Sequence, residues 1–117
     1  MAVVEGNREN IKDLIKDHNI VIFDFWAEWC APCKRFSPIF EAVAAKNPDI
    51  LFVKINTDLE QEISAVFEIR SIPTIAVIKE QDIILAQPGS VSEEILEQIV
   101  AKARDVDMAV VRSQSET

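Results

Sequence analysis

Cys30 and Cys33 are the only two cysteines of the chain, and both fall in the stretch FWAEWCAPCKRF at residues 25–36. A pair this close makes a poor structural staple. A bridge between them closes so small a loop that chain entropy contributes only about 2 kcal/mol. Metal binding and redox exchange remain. Zinc asks for four ligands, whereas the chain adds a single histidine, His18, to its two cysteines. His18, in KDHN, reads as a helix-end residue favoured by the helix dipole. An intrachain zinc site is therefore set aside, although a metal or iron–sulfur site shared between two chains would still have its ligands.

Redox chemistry needs a thiolate, because the thiolate is the nucleophile. Cys30-Ala31-Pro32-Cys33 lies between an apolar run and a helical pattern. Pro32 suits the first turn of a helix, where a missing N–H costs nothing, and it biases Ala31 toward extended backbone. Cys30 then sits at the helix start, faced by unpaired N–H groups and the positive end of the dipole. Cys33, one turn in, is expected to be the more buried thiol and suits a resolving role.

Three residues elsewhere bear on the same chemistry. Asp24 interrupts an otherwise apolar run. Buried there, its carboxyl would resist ionisation and could carry a proton; at a strand edge it would simply face water. Lys54, in LFVKIN, is its natural neighbour across a sheet, although an exposed lysine would be equally ordinary. Pro73, in RSIPTI, precedes a strand.

The elements that must position these residues follow from periodicity. Residues 9–17 carry Ile11, Leu14 and Ile15 at helical spacing. Residues 20–27 are apolar nearly throughout, as a central strand covered on both faces would be. Residues 32–46 read as a helix with Phe36, Ile39, Phe40 and Val43 inward and with Pro38 inside it, where a kink is expected. Residues 50–56 form a second buried strand, and residues 60–67 a short helix. Residues 74–79 and 83–87 are strands of a hairpin joined by the polar turn Glu80-Gln81-Asp82. Ser92 caps a last helix over residues 92–104, whose apolar face is Ile95, Leu96, Ile99, Val100 and Ala103. A short first strand at residues 2–5 completes a mixed α/β sheet with helices on both faces. Residues 1–104 make one domain, and residues 105–117 read as a polar, flexible tail.

Composition narrows the functions. The 117 residues suffice for one domain with its own core, and the formal net charge of −8 argues against a sequence-independent nucleic-acid surface. No apolar run approaches the roughly 20 residues of a membrane span. The first ten residues lack the pattern of a secretory signal, so a reducing, cytoplasmic setting is expected. There a close cysteine pair is catalytic or metal-binding before it is structural.

VIFDFWAEWCAPCK, the later SIPT and a late Pro-Gly together resemble the thioredoxin family from residue 20 to about residue 104. The resemblance implies the thioredoxin fold, a mixed five-stranded sheet of order 1-3-2-4-5. It implies that Cys30 attacks and Cys33 resolves, forming a redox-active Cys30–Cys33 disulfide. It further implies that Asp24 is a buried acid exchanging a proton with Cys33 through water, and that Lys54 is its sheet neighbour. Pro73 matches a cis-proline lying against the disulfide. Trp29, Ala31, Pro32, Ile72, Pro73 and Gly89 match the substrate groove, while Trp26 and Pro38 match structural supports.

Departures from the family pattern are Ala31 where glycine is commonest, Ser71 before Ile-Pro, Phe67 for an aromatic often Tyr, and a turn without Asn-Gly. None removes a catalytic group, although Ser71 and Pro88 bear on which substrates dock. The expected function is general protein-disulfide reduction by a monomer, supporting electron transport and cell redox homeostasis. With no glycine-rich nucleotide loop, no bound cofactor or metal is expected, and the electrons should come from thioredoxin reductase. The rival readings are a thiol oxidase or isomerase of the same fold, and a non-catalytic binding subunit.

Overall fold

A computed structural model of the chain describes residues 2–115. The elements run β1 (Val3–Glu5), α1 (Ile11–Lys16), β2 (Ile20–Trp26), α2 (Ala31–Lys46), β3 (Leu51–Asn56), α3 (Gln61–Val66), β4 (Thr74–Lys79), β5 (Asp82–Pro88), α4 (Glu93–Asp105) and α5 (Met108–Ser115). The strands form one sheet in the order β1-β3-β2-β4-β5. β3 pairs in parallel with both β1 and β2, while β4 is antiparallel to β2 and to β5.

β2 is central and hydrophobic on both faces, so its side chains divide by the period of two. Ile20 and Ile22 join Phe36, Phe40, Val43, Leu96 and Val100 in the core under α2 and α4. Val21, Phe23 and Phe25 join Ile63 in the opposite core, against which Ile11, Leu14 and Ile15 of α1 pack. Asp24 falls in the Ile20 and Ile22 row and so faces α2.

Most boundaries shift by one residue from the sequence expectation, and two differences have clear local reasons. α1 opens at Ile11 because the Asn7 side chain accepts the N–H groups of Glu9 and Asn10, holding those residues in a turn. The hairpin connection is Glu80 and Gln81, since Lys79 pairs with Asp82. Both turn residues have left-handed backbone, with φ of 50° and 72°. Their conformation is the one Asn-Gly usually supplies.

The polar tail expected over residues 105–117 has more structure than its composition suggests. Asp105 closes α4, and α5 follows within three residues. Asp107 caps α5 by accepting the N–H of Ala109 at 2.9 Å, and Met108 is buried. Arg112 reaches back to the hairpin turn, donating to Asp82 Oδ2 at 3.0 Å, Glu80 Oε1 at 3.1 Å and the Glu80 carbonyl at 3.0 Å. Residues 116–117 lie outside the described part.

Lys79, the last residue of β4, is buried. Its Nζ donates to the carbonyls of Ala103, Arg104 and Val106 at 2.8, 2.9 and 2.8 Å. These belong to the end of α4, where carbonyls lack intrahelical partners and carry the negative end of the dipole. The ammonium thus anchors the last turn of α4 to the sheet.

Candidate active site

Cys30 is the N-cap of α2, with extended backbone at φ −91° and ψ 103°. Pro32 lies in the first turn, as its ring and missing N–H allow. The Cys33 N–H, one of the donors a helix start leaves unpaired, donates to Cys30 Sγ at 3.2 Å. The first turn of α2 contains no acidic residue to oppose the dipole. Cys30 and Cys33 are joined by a disulfide with their Cα atoms 5.3 Å apart.

The two cysteines are almost equally covered in this bridged form, 4% and 2% exposed. The expected difference in burial is therefore slight. What separates them is position: Cys30 Sγ receives a helix N–H, and Cys33 supplies it. Ala27 packs with the pair, and Trp26 and Ile72 close over this small cluster.

Asp24 shares a face of β2 with Trp26 and is wholly buried. The water-facing alternative is thereby removed. Neither carboxylate oxygen has a hydrogen-bond partner. Burial pushes the carboxyl up to about 7, and the positive charge of Lys54 pulls it down by less. A group poised there can take or give a proton near neutral pH.

Lys54 lies opposite Asp24 in the β2–β3 register. Its ammonium turns elsewhere, donating to Ser37 Oγ at 2.6 Å and standing 4.8 Å from the centre of the Trp26 ring. Pro38 lies inside α2.

The groove residues come together from three loops. Trp29 is 70% exposed, and its Nε1 donates to Asp58 Oδ2 at 3.0 Å. The Ile72–Pro73 bond is cis. Gly89 holds φ 91°, a backbone that favours glycine, and its N–H donates to the Pro73 carbonyl at 2.8 Å. Ala31 and Pro32 are exposed beside the disulfide. Trp26 and Ile72 thus meet the cysteine pair directly, and Gly89 is tied to Pro73, the residue after Ile72.

Sequence reasoning missed Asp58 and Ser37. The signal for Asp58 lay in strand register: Trp26 pairs with Asn56, and Thr57 N–H donates to the Trp26 carbonyl. The loop after β3 therefore runs on beside the end of β2 and delivers Asp58 to Trp29.

A disulfide at a helix start, in a fold whose central strand also buries a carboxyl, suits redox exchange, and comparison with known proteins decides whose. The thioredoxin family model matches residues 2–102. The chain belongs to the thioredoxin family. It is 42% identical over 111 residues to "Putative thioredoxin 2" of Streptomyces coelicolor, covering 95% of this chain and 83% of that one. It is 33% identical over 103 residues to a thioredoxin of Bacillus subtilis, covering 87% of this chain and 98% of that one. Among solved structures, a thioredoxin of Plasmodium falciparum superposes with a TM-score of 0.79 at 29% identity, over 85% of this chain and 97% of that one. As a thioredoxin with an intact cysteine pair, the chain is a thiol–disulfide oxidoreductase. Membership also implies disulfide-containing targets and a reductase that restores the dithiol. No helix among the described residues is long and apolar enough to cross a membrane.

Proposed function

We propose that the chain is a general protein-disulfide reductase in which Cys30 attacks and Cys33 resolves. The observation that supports this most is the Cys33 N–H aimed at Cys30 Sγ, 3.2 Å away, at the start of α2. In the dithiol that N–H and the helix dipole favour the Cys30 thiolate over the thiol.

Cys30 Sγ attacks one sulfur of a target disulfide; the target S–S bond breaks, and its other sulfur leaves as a thiolate and takes a proton from water. The Cys33 thiol then passes its proton to the Asp24 carboxylate, and the resulting thiolate attacks Cys30 Sγ. The mixed disulfide breaks, the second target sulfur leaves, and the Cys30–Cys33 bridge forms. Two electrons have moved to the target. Lys54 shapes the field at Asp24. Trp29, Ala31, Pro32, Ile72, Pro73 and Gly89 form the surface on which an extended target segment rests, with Trp26 and Pro38 supporting it.

Thioredoxin reductase is the reductase this reading assigns. The chain works as a monomer in the cytoplasm, without a nucleic-acid or membrane partner. An insulin-reduction assay driven by dithiothreitol tests it. The chain should accelerate insulin precipitation, and Cys30→Ser should not. No acceleration by the intact chain would favour a binding role without turnover.

A further inference from the structure

Ser37 stands one helical turn beyond Cys33, on the side of α2 that meets the sheet. Its hydroxyl accepts from Lys54 Nζ at 2.6 Å. The Trp26 ring, 4.8 Å from the same ammonium, is its second partner. An ammonium set beside a buried carboxylate would ordinarily close onto it, since each relieves the other's desolvation. Lys54 has Asp24 as its cross-strand neighbour, yet no ion pair within 4.0 Å joins them. We infer that Ser37 is a positioning residue whose hydroxyl holds the Lys54 ammonium off the Asp24 carboxylate, leaving that carboxyl free to exchange the proton of Cys33. The inference rests on the reading of Asp24 as the proton carrier.

The electrostatics around Asp24 are simple enough for one hydroxyl to matter. β4 sets apolar Ile75 opposite it. α2 brings Cys33, Phe36 and Ser37 to the sheet, while its charged Lys34, Arg35 and Glu41 are exposed. α4 contributes Leu96 and Val100 to the same core. Lys54 is the one charged side chain whose field acts on Asp24 among the described residues. A cation at ion-pair distance lowers an aspartate by about 1–3 pH units. An Asp24 so locked in its ionised form would be a weak base at neutral pH and a poor acceptor for a thiol proton. Without Ser37, two carboxylates stand opposite Lys54 in register, exposed Glu5 on β1 and buried Asp24 on β2, and the unsolvated Asp24 gains the more from the ammonium.

The test is a ¹³C NMR titration of the Asp24 carboxyl in the bridged protein, where no thiol titrates beside it. It is paired with the pH profile of mixed-disulfide resolution in the dithiol protein. Ser37→Ala should lower the Asp24 midpoint by about one pH unit or more and move the pH profile with it. Ser37→Thr, which keeps the hydroxyl, should leave both near wild type. A midpoint in Ser37→Ala that is unchanged or higher would overturn the inference, whatever the variant's stability. Should Asp24→Asn leave the resolution profile unchanged, the proton role of Asp24 would fall instead. The carboxyl titration would still decide whether Ser37 keeps Lys54 away.

Discussion

Asp24 lies directly opposite Lys54 in the parallel pairing of β2 with β3, and the Lys54 ammonium nevertheless bonds to Ser37. The carboxyl is left wholly buried with neither oxygen partnered. A fold keeps such a group against its own stability.

The size of that cost depends on pH. Burial lifts Asp24 to about 7, against which Lys54 acts only partly. In the unfolded chain the group titrates near about 3.9. Between those values the folded state holds a proton that the unfolded state has lost, so stability falls as pH rises from about 4 to about 7 and then levels. Asp24→Asn should remove this slope. It should gain about 1–3 kcal/mol above neutrality and little near pH 4, while slowing disulfide reduction. Urea melts at about pH 5 and about pH 8 check it. A variant less stable at the higher pH, with an unchanged rate, would mean that Asp24 is structural.

The roles of the two sulfurs make a separate prediction. Cys33→Ser should accumulate mixed disulfides with target proteins through Cys30, because attack proceeds and resolution does not. Cys30→Ser should trap none. Mass spectrometry that found targets on Cys33 in the Cys30→Ser protein would reverse the assignment.

Lys79 tests the scaffold apart from the chemistry. Its ammonium serves three carbonyls at the end of α4 from a buried position. Lys79→Met keeps the stem and leaves those acceptors without their donor, which should cost about 2–4 kcal/mol. Insulin reduction at low temperature should be unaffected. A loss of stability below about 0.5 kcal/mol would show that water serves the three carbonyls equally well.

Much of this site was legible because its residues violate local patterns. Asp24 is conspicuous in an apolar strand, and two cysteines with only two residues between them cannot be a useful staple. The order of elements was legible because β2 and β3 are apolar on both faces, while the apolar faces of α2 and α4 repeat at helical spacing. Ser37 was not, since a small polar residue on a helix has no signature until the lysine that reaches it is placed. Asp58 depended on the β2–β3 register. The left-handed turn at Glu80 and Gln81 was hidden because neither residue is Gly or Asn. α5 was hidden because a buried methionine, a cap and an arginine help to hold it, features that no helical stripe announces.

The most direct test of the account is the redox potential of the Cys30–Cys33 pair, obtained by equilibration against glutathione with the thiols quenched and counted. The potential depends on how far the Cys30 thiolate is stabilised relative to the bridge. Ala31 and Pro32 add no positive charge between the cysteines, so the helix terminus and the Cys33 N–H act alone there. The expected result is a reductant near the roughly −270 mV characteristic of thioredoxins, a value that belongs to the family. A potential near the roughly −180 mV of a disulfide isomerase, or the roughly −120 mV of a strong oxidant, would contradict it.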